Sequence, residues 1–123
     1  EYKKKSIKGG SQTSLIFKKS NGQYIINANK TGISSDGSLE FNGGVFFIVS
    51  LFGEGIKSVP DKTDTDSLGK ILINAGNFNI QSFNDAFAAK NNITIVKGVF
   101  DLKTENGYDS TTMTKMKAQK DLK

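Results

Sequence analysis

Apolar and polar residues alternate with a period of two along most of this chain, and a helical period is scarce. Residues 14–18, Ser-Leu-Ile-Phe-Lys, read as a strand. Ser20-Asn21-Gly22 follows, and Asn-Gly between two apolar runs predicts a hairpin whose return strand is 24–28. A polar connection then runs from Asn29 to Ser38, with Gly32 and Asp36-Gly37 as turn makers. After Leu39-Glu40-Phe41 and Gly43-Gly44 comes the strongest apolar run, residues 45–52. Val45, Phe47, Val49 and Leu51 lie on one of its faces, Phe46, Ile48 and Phe52 on the other. A strand apolar on both faces is expected in the middle of a sheet, covered on both sides.

Residues 53–68 read as a loop, and 70–74 as a short strand. Asn77-Phe78-Asn79-Ile80-Gln81 alternates as a half-buried strand does. Ser82-Phe83-Asn84-Asp85 has capping-box spacing, which predicts one short helix near 82–90 with Phe83, Ala86 and Phe87 on its inner face. The last long strand spans 93–102, and the interior Lys97-Gly98 suggests a bulge. Beyond Gly107 the pattern fades. About six strands at short spacing predict a mainly β domain, a sandwich of transthyretin/Ig-like type, and no internal repeat is visible.

The composition removes most catalytic chemistry. The 123 residues include no His, Cys or Trp, and all seventeen basic residues are Lys. Zinc sites of Cys/His type, His-activated nucleophiles and disulfides are therefore excluded, as is the bidentate Arg fork. The net charge of +5 is unevenly placed. Residues 1–30 carry +6, residues 31–109 carry −4 and residues 110–123 carry +3. This divides the chain into a basic tether (1–12), a β-sandwich domain (13–109) and a basic C-terminal tail (110–123).

The remaining motifs are weak. Asp64-Thr65-Asp66-Ser67-Leu68-Gly69 begins like a calcium loop, but Ala75 stands where the bidentate Glu is required. Together with Asp61 it reads as a solvated acidic loop. Ser67-Leu68-Gly69-Lys70 matches Ser-x-x-Lys without its companion motifs. No carboxylate pair stands out for glycoside hydrolysis. A small barrel stacking single-stranded nucleic acid on Tyr24, Phe78 or Tyr108 is physically reasonable, but the Lys residues cluster at the ends and the middle is acidic. The sequence thus predicts neither enzyme, cofactor, metal site nor nucleic-acid partner.

The order of segments resembles the TssJ family of type VI secretion lipoproteins. The resemblance lies in Tyr24-Ile25-Ile26-Asn27-Ala28-Asn29, the polar loop with Asp36-Gly37, the 45–52 run, Ile71-Leu72-Ile73-Asn74-Ala75-Gly76 and the 93–100 strand. It covers roughly residues 23–102. It implies a β-sandwich held at the periplasmic face of the outer membrane by a lipidated Cys just before Glu1. It also implies a non-enzymatic anchor that binds the periplasmic domain of a TssM-like inner-membrane subunit. The expected contact is the polar loop between confident strands, with Asn29, Lys30, Thr31, Ile33, Ser34, Ser35 and Asp36 as its residues. The alternative is an adhesion domain of surface or fimbrial type.

Overall fold

The computed structural model describes residues 6–9, 14–60 and 68–105, and the backbone of 116–118 and 121–122. Twelve strands follow one another: β1 (Ile7–Gly9), β2 (Ser14–Phe17), β3 (Gln23–Ala28), β4 (Ile33–Ser35), β5 (Ser38–Ser50), β6 (Ile56–Ser58), β7 (Lys70–Ser82), β8 (Phe87–Ala89), β9 (Asn92–Ile95), β10 (Val99–Thr104), β11 (Met116–Ala118) and β12 (Asp121–Leu122). They form a five-stranded sheet, β1-β4-β6-β8-β11, and a seven-stranded sheet. In the larger one β5 pairs β7 at the centre, β2 and β3 lie end to end along β5, β9 and β10 lie end to end along β7, and β12 pairs β9. Every ladder is parallel.

The chain therefore visits each sheet in turn and returns one strand further along: it winds as a parallel β-solenoid. The mainly β content and the two sheets agree with the sequence reading. The connectivity is coiled, and among the described residues there are none of the hairpins expected of Ig-like sheets.

Parallel register stacks like residues on like. Tyr24, Phe46, Phe78 and Phe100 occupy one inward column of the larger sheet, and Ile26, Ile48, Ile80 and Leu102 the next. Leu15, Leu39, Ile71 and Ile93 form a third. From the smaller sheet Ile33, Ile56 and Phe87 face them across one core. The four rings stack nearly face to face, with centroids 4.7, 4.9 and 5.3 Å apart. Phe17, Phe41 and Phe87 meet the stack edge-on, so both favoured aromatic geometries are used at once.

A glycine lies two residues before each stacked ring: Gly22, Gly44, Gly76 and Gly98. Gly44 has φ 105° and Gly76 φ 140°, a region that L side chains rarely occupy. A Cβ on Gly76 would also lie 2.7 Å from the Phe78 ring. Phe46, Phe78 and Phe100 each fold back over their own glycine, and the repeating sequence unit, shared by Gly22 and Tyr24, is Gly-x-aromatic-x-aliphatic.

Three sequence expectations are corrected. Asn21-Gly22 makes no hairpin: β2 and β3 run the same way along β5. The break between them sits beside the register shifts at Phe41–Val45, where Gly43 packs against the backbone of Ser20. The helix near 82–90 is absent, and Phe87–Ala89 is a strand. Its would-be helical amides and carbonyls are used by the neighbouring coil, through Asn84 N–H to Gly53 O (3.1 Å) and Gly55 N–H to Asp85 O (3.0 Å). Ser82 Oγ donates to Asn84 O at 2.7 Å, which closes a tight corner. The sequence boundaries at 12 and 109 are crossed by the ladders, since Ile7–Gly9 pairs Ile33–Ser35 and Met116–Ala118 pairs Phe87–Ala89. The interruption at Lys97-Gly98 does fall between two strands, β9 and β10.

Candidate binding face

The outward side of the larger sheet follows from the same register. Inward residues leave every second position pointing to solvent. On β3 these are Gln23, Ile25 and Asn27; on β5, Val45, Phe47 and Val49; on β7, Asn77, Asn79 and Gln81; on β10, Val99, Asp101 and Lys103. Ladder pairing sets Val45 beside Asn77, Phe47 beside Asn79, and Val49 beside Gln81. β5 does lie mid-sheet, as its apolar run predicts, but its outer face is not covered: Phe47 is 41% exposed and Leu51, just past the strand, 55%. Ile25 and Val99 are exposed on the flanking strands.

This face is flat. Adjacent strands ordinarily rotate by about 20–25° relative to one another, and flat sheets are held so by stacking or side-chain ladders. Here the ring planes of Tyr24, Phe46, Phe78 and Phe100 differ by only 6°, 3° and 10° from one coil to the next. The aromatic stack behind the sheet keeps successive coils in line, so the outer positions form a grid. Its steps are about 4.8 Å between strands and about 6.6 Å along each strand.

At one end of the grid the side chains are tied down. Asn74 Nδ2 donates to Asn42 Oδ1 at 2.7 Å, and Asn42 Nδ2 donates to Glu40 Oε2 at 2.9 Å. This chain of amides is partly buried and fixes the side chains beside the β5 irregularity.

An exposed apolar strip on a flat sheet is the kind of surface that marks an interaction site. Amides beside it both donate and accept hydrogen bonds while carrying no charge. Such a surface binds a flat molecule with an apolar face and a polar edge. It holds no nucleophile–base pair, and among the described residues no group of three or more His, Cys, Asp or Glu gathers.

The residues expected to touch a partner lie elsewhere. The supposed loop is strand β4 and its flanks, in the smaller sheet. Ile33 and Ser35 are buried there, and the Ser35 hydroxyl accepts from Gly37 N–H at 3.0 Å. Thr31 Oγ1 donates to Glu54 at 3.3 Å, while Ser34 and Asp36 are half-buried. Of the seven, Asn29 and Lys30 alone are exposed. Of the aromatics considered for base stacking, Phe78 is buried at the centre of the ring stack and Tyr24 half-buried at its end; Tyr108 lies outside the described residues. Asp61, Asp64, Asp66 and Ser67 also lie outside them.

No local sequence pattern marks the outer grid as a site. The nearest signal is the 45–52 run, whose two apolar faces cannot both be core in a two-layer fold.

A family model described as carbohydrate-binding domain-containing protein matches residues 5–123. No curated protein and no solved structure matches the chain. The match carries nothing on TssJ or type VI secretion.

Proposed function

Because the chain belongs to the family of carbohydrate-binding domain-containing proteins, we propose that it is a non-catalytic module that binds a glycan on the outer face of its larger sheet. The observation that carries this reading is Phe47, an aromatic ring left exposed on a flat sheet with an amide beside it on the next strand. Sugar rings present C–H faces that pack on apolar and aromatic surface, and hydroxyl edges that pair with amides. Small, well-placed sets of polar groups around apolar surface are the usual make-up of a ligand site.

The test is co-sedimentation of the purified chain with a panel of insoluble polysaccharides. Retention on at least one, and its loss in Phe47→Ala with unfolding temperature lowered only slightly, is the expected result. No retention on any member sinks the reading.

The anchoring part of the sequence reading, a lipid-held protein on the periplasmic face of the outer membrane with a TssM-like partner, is supported by the resemblance over residues 23–102 alone. A glycan binder held at an envelope is compatible with both. Metabolic labelling of the full-length gene product with a fatty acid tests the anchor, and absence of label removes it.

A further inference from the structure

The twelve outer positions are sorted by strand. Along β5 the outward row is Val45, Phe47 and Val49, continued by exposed Leu51: entirely apolar. Along β7 it is Asn77, Asn79 and Gln81: entirely amide, and all three are exposed. The columns across strands are mixed by contrast. Gln23, Val45, Asn77 and Val99 form one, and Ile25, Phe47, Asn79 and Asp101 another. Within residues 45–51 and 77–81 neither central row carries a charge, Glu40 and Lys70 lying on the other side of the register shifts in β5 and β7, and on β10 the exposed Asp101 and Lys103 offset one another.

Resting on the reading of this face as a glycan site, we propose that its ligand is an uncharged polysaccharide whose chain lies along the strands, at right angles to the solenoid axis. In that orientation the C–H faces of successive sugars lie on Val45, Phe47 and Val49. The hydroxyls along one edge then meet Asn77, Asn79 and Gln81 one strand away, about 4.8 Å off. From Asn77 to Gln81 the amide row is about 13 Å long, so one ligand segment touches all three amides together. A chain lying across the strands would meet apolar and amide positions in turn, with Asp101 or Lys103 ending two of the three columns, and could not keep its polar edge on polar groups. An anionic glycan would find no cation in the two central rows.

The experiment is calorimetric titration of the full chain with cello-, xylo- and manno-oligosaccharides and with alginate as a carboxylated probe, at low and high salt. One or more of the uncharged oligosaccharides binds, with affinity insensitive to salt. Asn77→Ala and Gln81→Ala each weaken binding about fivefold, the effect of one net hydrogen bond. Ile25→Thr and Asp101→Asn, on the flanking strands, weaken it less than either amide substitution does. These are surface substitutions, and thermal unfolding of each variant shows that it is folded. The reverse pattern, with Ile25 and Asp101 needed and Asn77 and Gln81 dispensable, overturns the orientation. Binding confined to alginate and weakened by salt overturns the uncharged class while leaving a glycan site in place. No binding to any glycan removes the underlying reading as well.

Discussion

Phe46 and Phe47 are neighbours of one residue type whose roles the fold makes opposite. Phe46 is 0% exposed and lies between Tyr24 and Phe78 in the ring stack, with Phe17 and Phe41 edge-on at 5.4 and 5.3 Å. Truncating such a ring to Ala removes its burial and leaves a cavity, at a cost of about 3–5 kcal/mol, before any loss of aromatic pairing. Against a typical total stability of about 5–15 kcal/mol, that is a large fraction. For a chain of this size about 3–5 °C of unfolding temperature goes with each kcal/mol, so Phe46→Ala is expected to unfold about 10–20 °C lower. Phe47 is 41% exposed and gives up only part of a burial worth about 1.5–3 kcal/mol for a whole side chain. Phe47→Ala is therefore expected to lose about 1–1.5 kcal/mol, near 5 °C, while losing glycan binding. Far-UV circular dichroism on heating, with reversibility checked, measures both. A one-residue slip in register exchanges the two faces of a strand. Equal losses, or a larger loss at Phe47, would refute the coil register and the binding face together.

Two further substitutions test the architecture. Gly76→Ala places a Cβ at φ 140° and 2.7 Å from the Phe78 ring; it is expected to cost about 1–3 kcal/mol in urea unfolding. Pairing it with Phe78→Leu relieves the clash, so the double variant falls short of the summed losses; strict additivity contradicts the packing of ring on glycine. Asn42→Ala cuts the Asn74–Asn42–Glu40 chain, and its urea midpoint is expected to drop by about 1 kcal/mol equivalent with glycan affinity unchanged. A fall in affinity would place this corner inside the site.

The local character of the strands was legible because period-two alternation reports which side is buried. The 77–81 run alternates as expected, and the two faces of 45–52 divide as their spacing requires. The direction of pairing was not legible, since that alternation is the same for parallel and antiparallel neighbours. Asn21-Gly22 carries the local signature of a hairpin turn, which a break between two parallel strands shares. The repeat was concealed by uneven coils: the stacked rings at 24, 46, 78 and 100 are separated by 22, 32 and 22 residues. Most of the middle excess lies in the connection between β6 and β7. Gly-x-aromatic-x-aliphatic, read four times at Gly22, Gly44, Gly76 and Gly98, was the signal that could have shown it. The capping-box spacing at Ser82 misled for a different reason. Its backbone groups find partners in an adjacent coil, and no local pattern records that. The site followed the fold: once β5 and β7 are placed side by side, an apolar row next to an amide row is visible in the sequence itself.

The most direct test of the binding face is a titration followed by backbone amide chemical shifts. An isotopically labelled sample is titrated with an uncharged oligosaccharide shown to bind by calorimetry. The account predicts that the largest shifts map to residues 45–51 on β5 and its end and 77–81 on β7, with β4 and its flanks at 29–36 unmoved. Shifts centred on residues 29–36, or on the smaller sheet, with β5 and β7 silent, would contradict it.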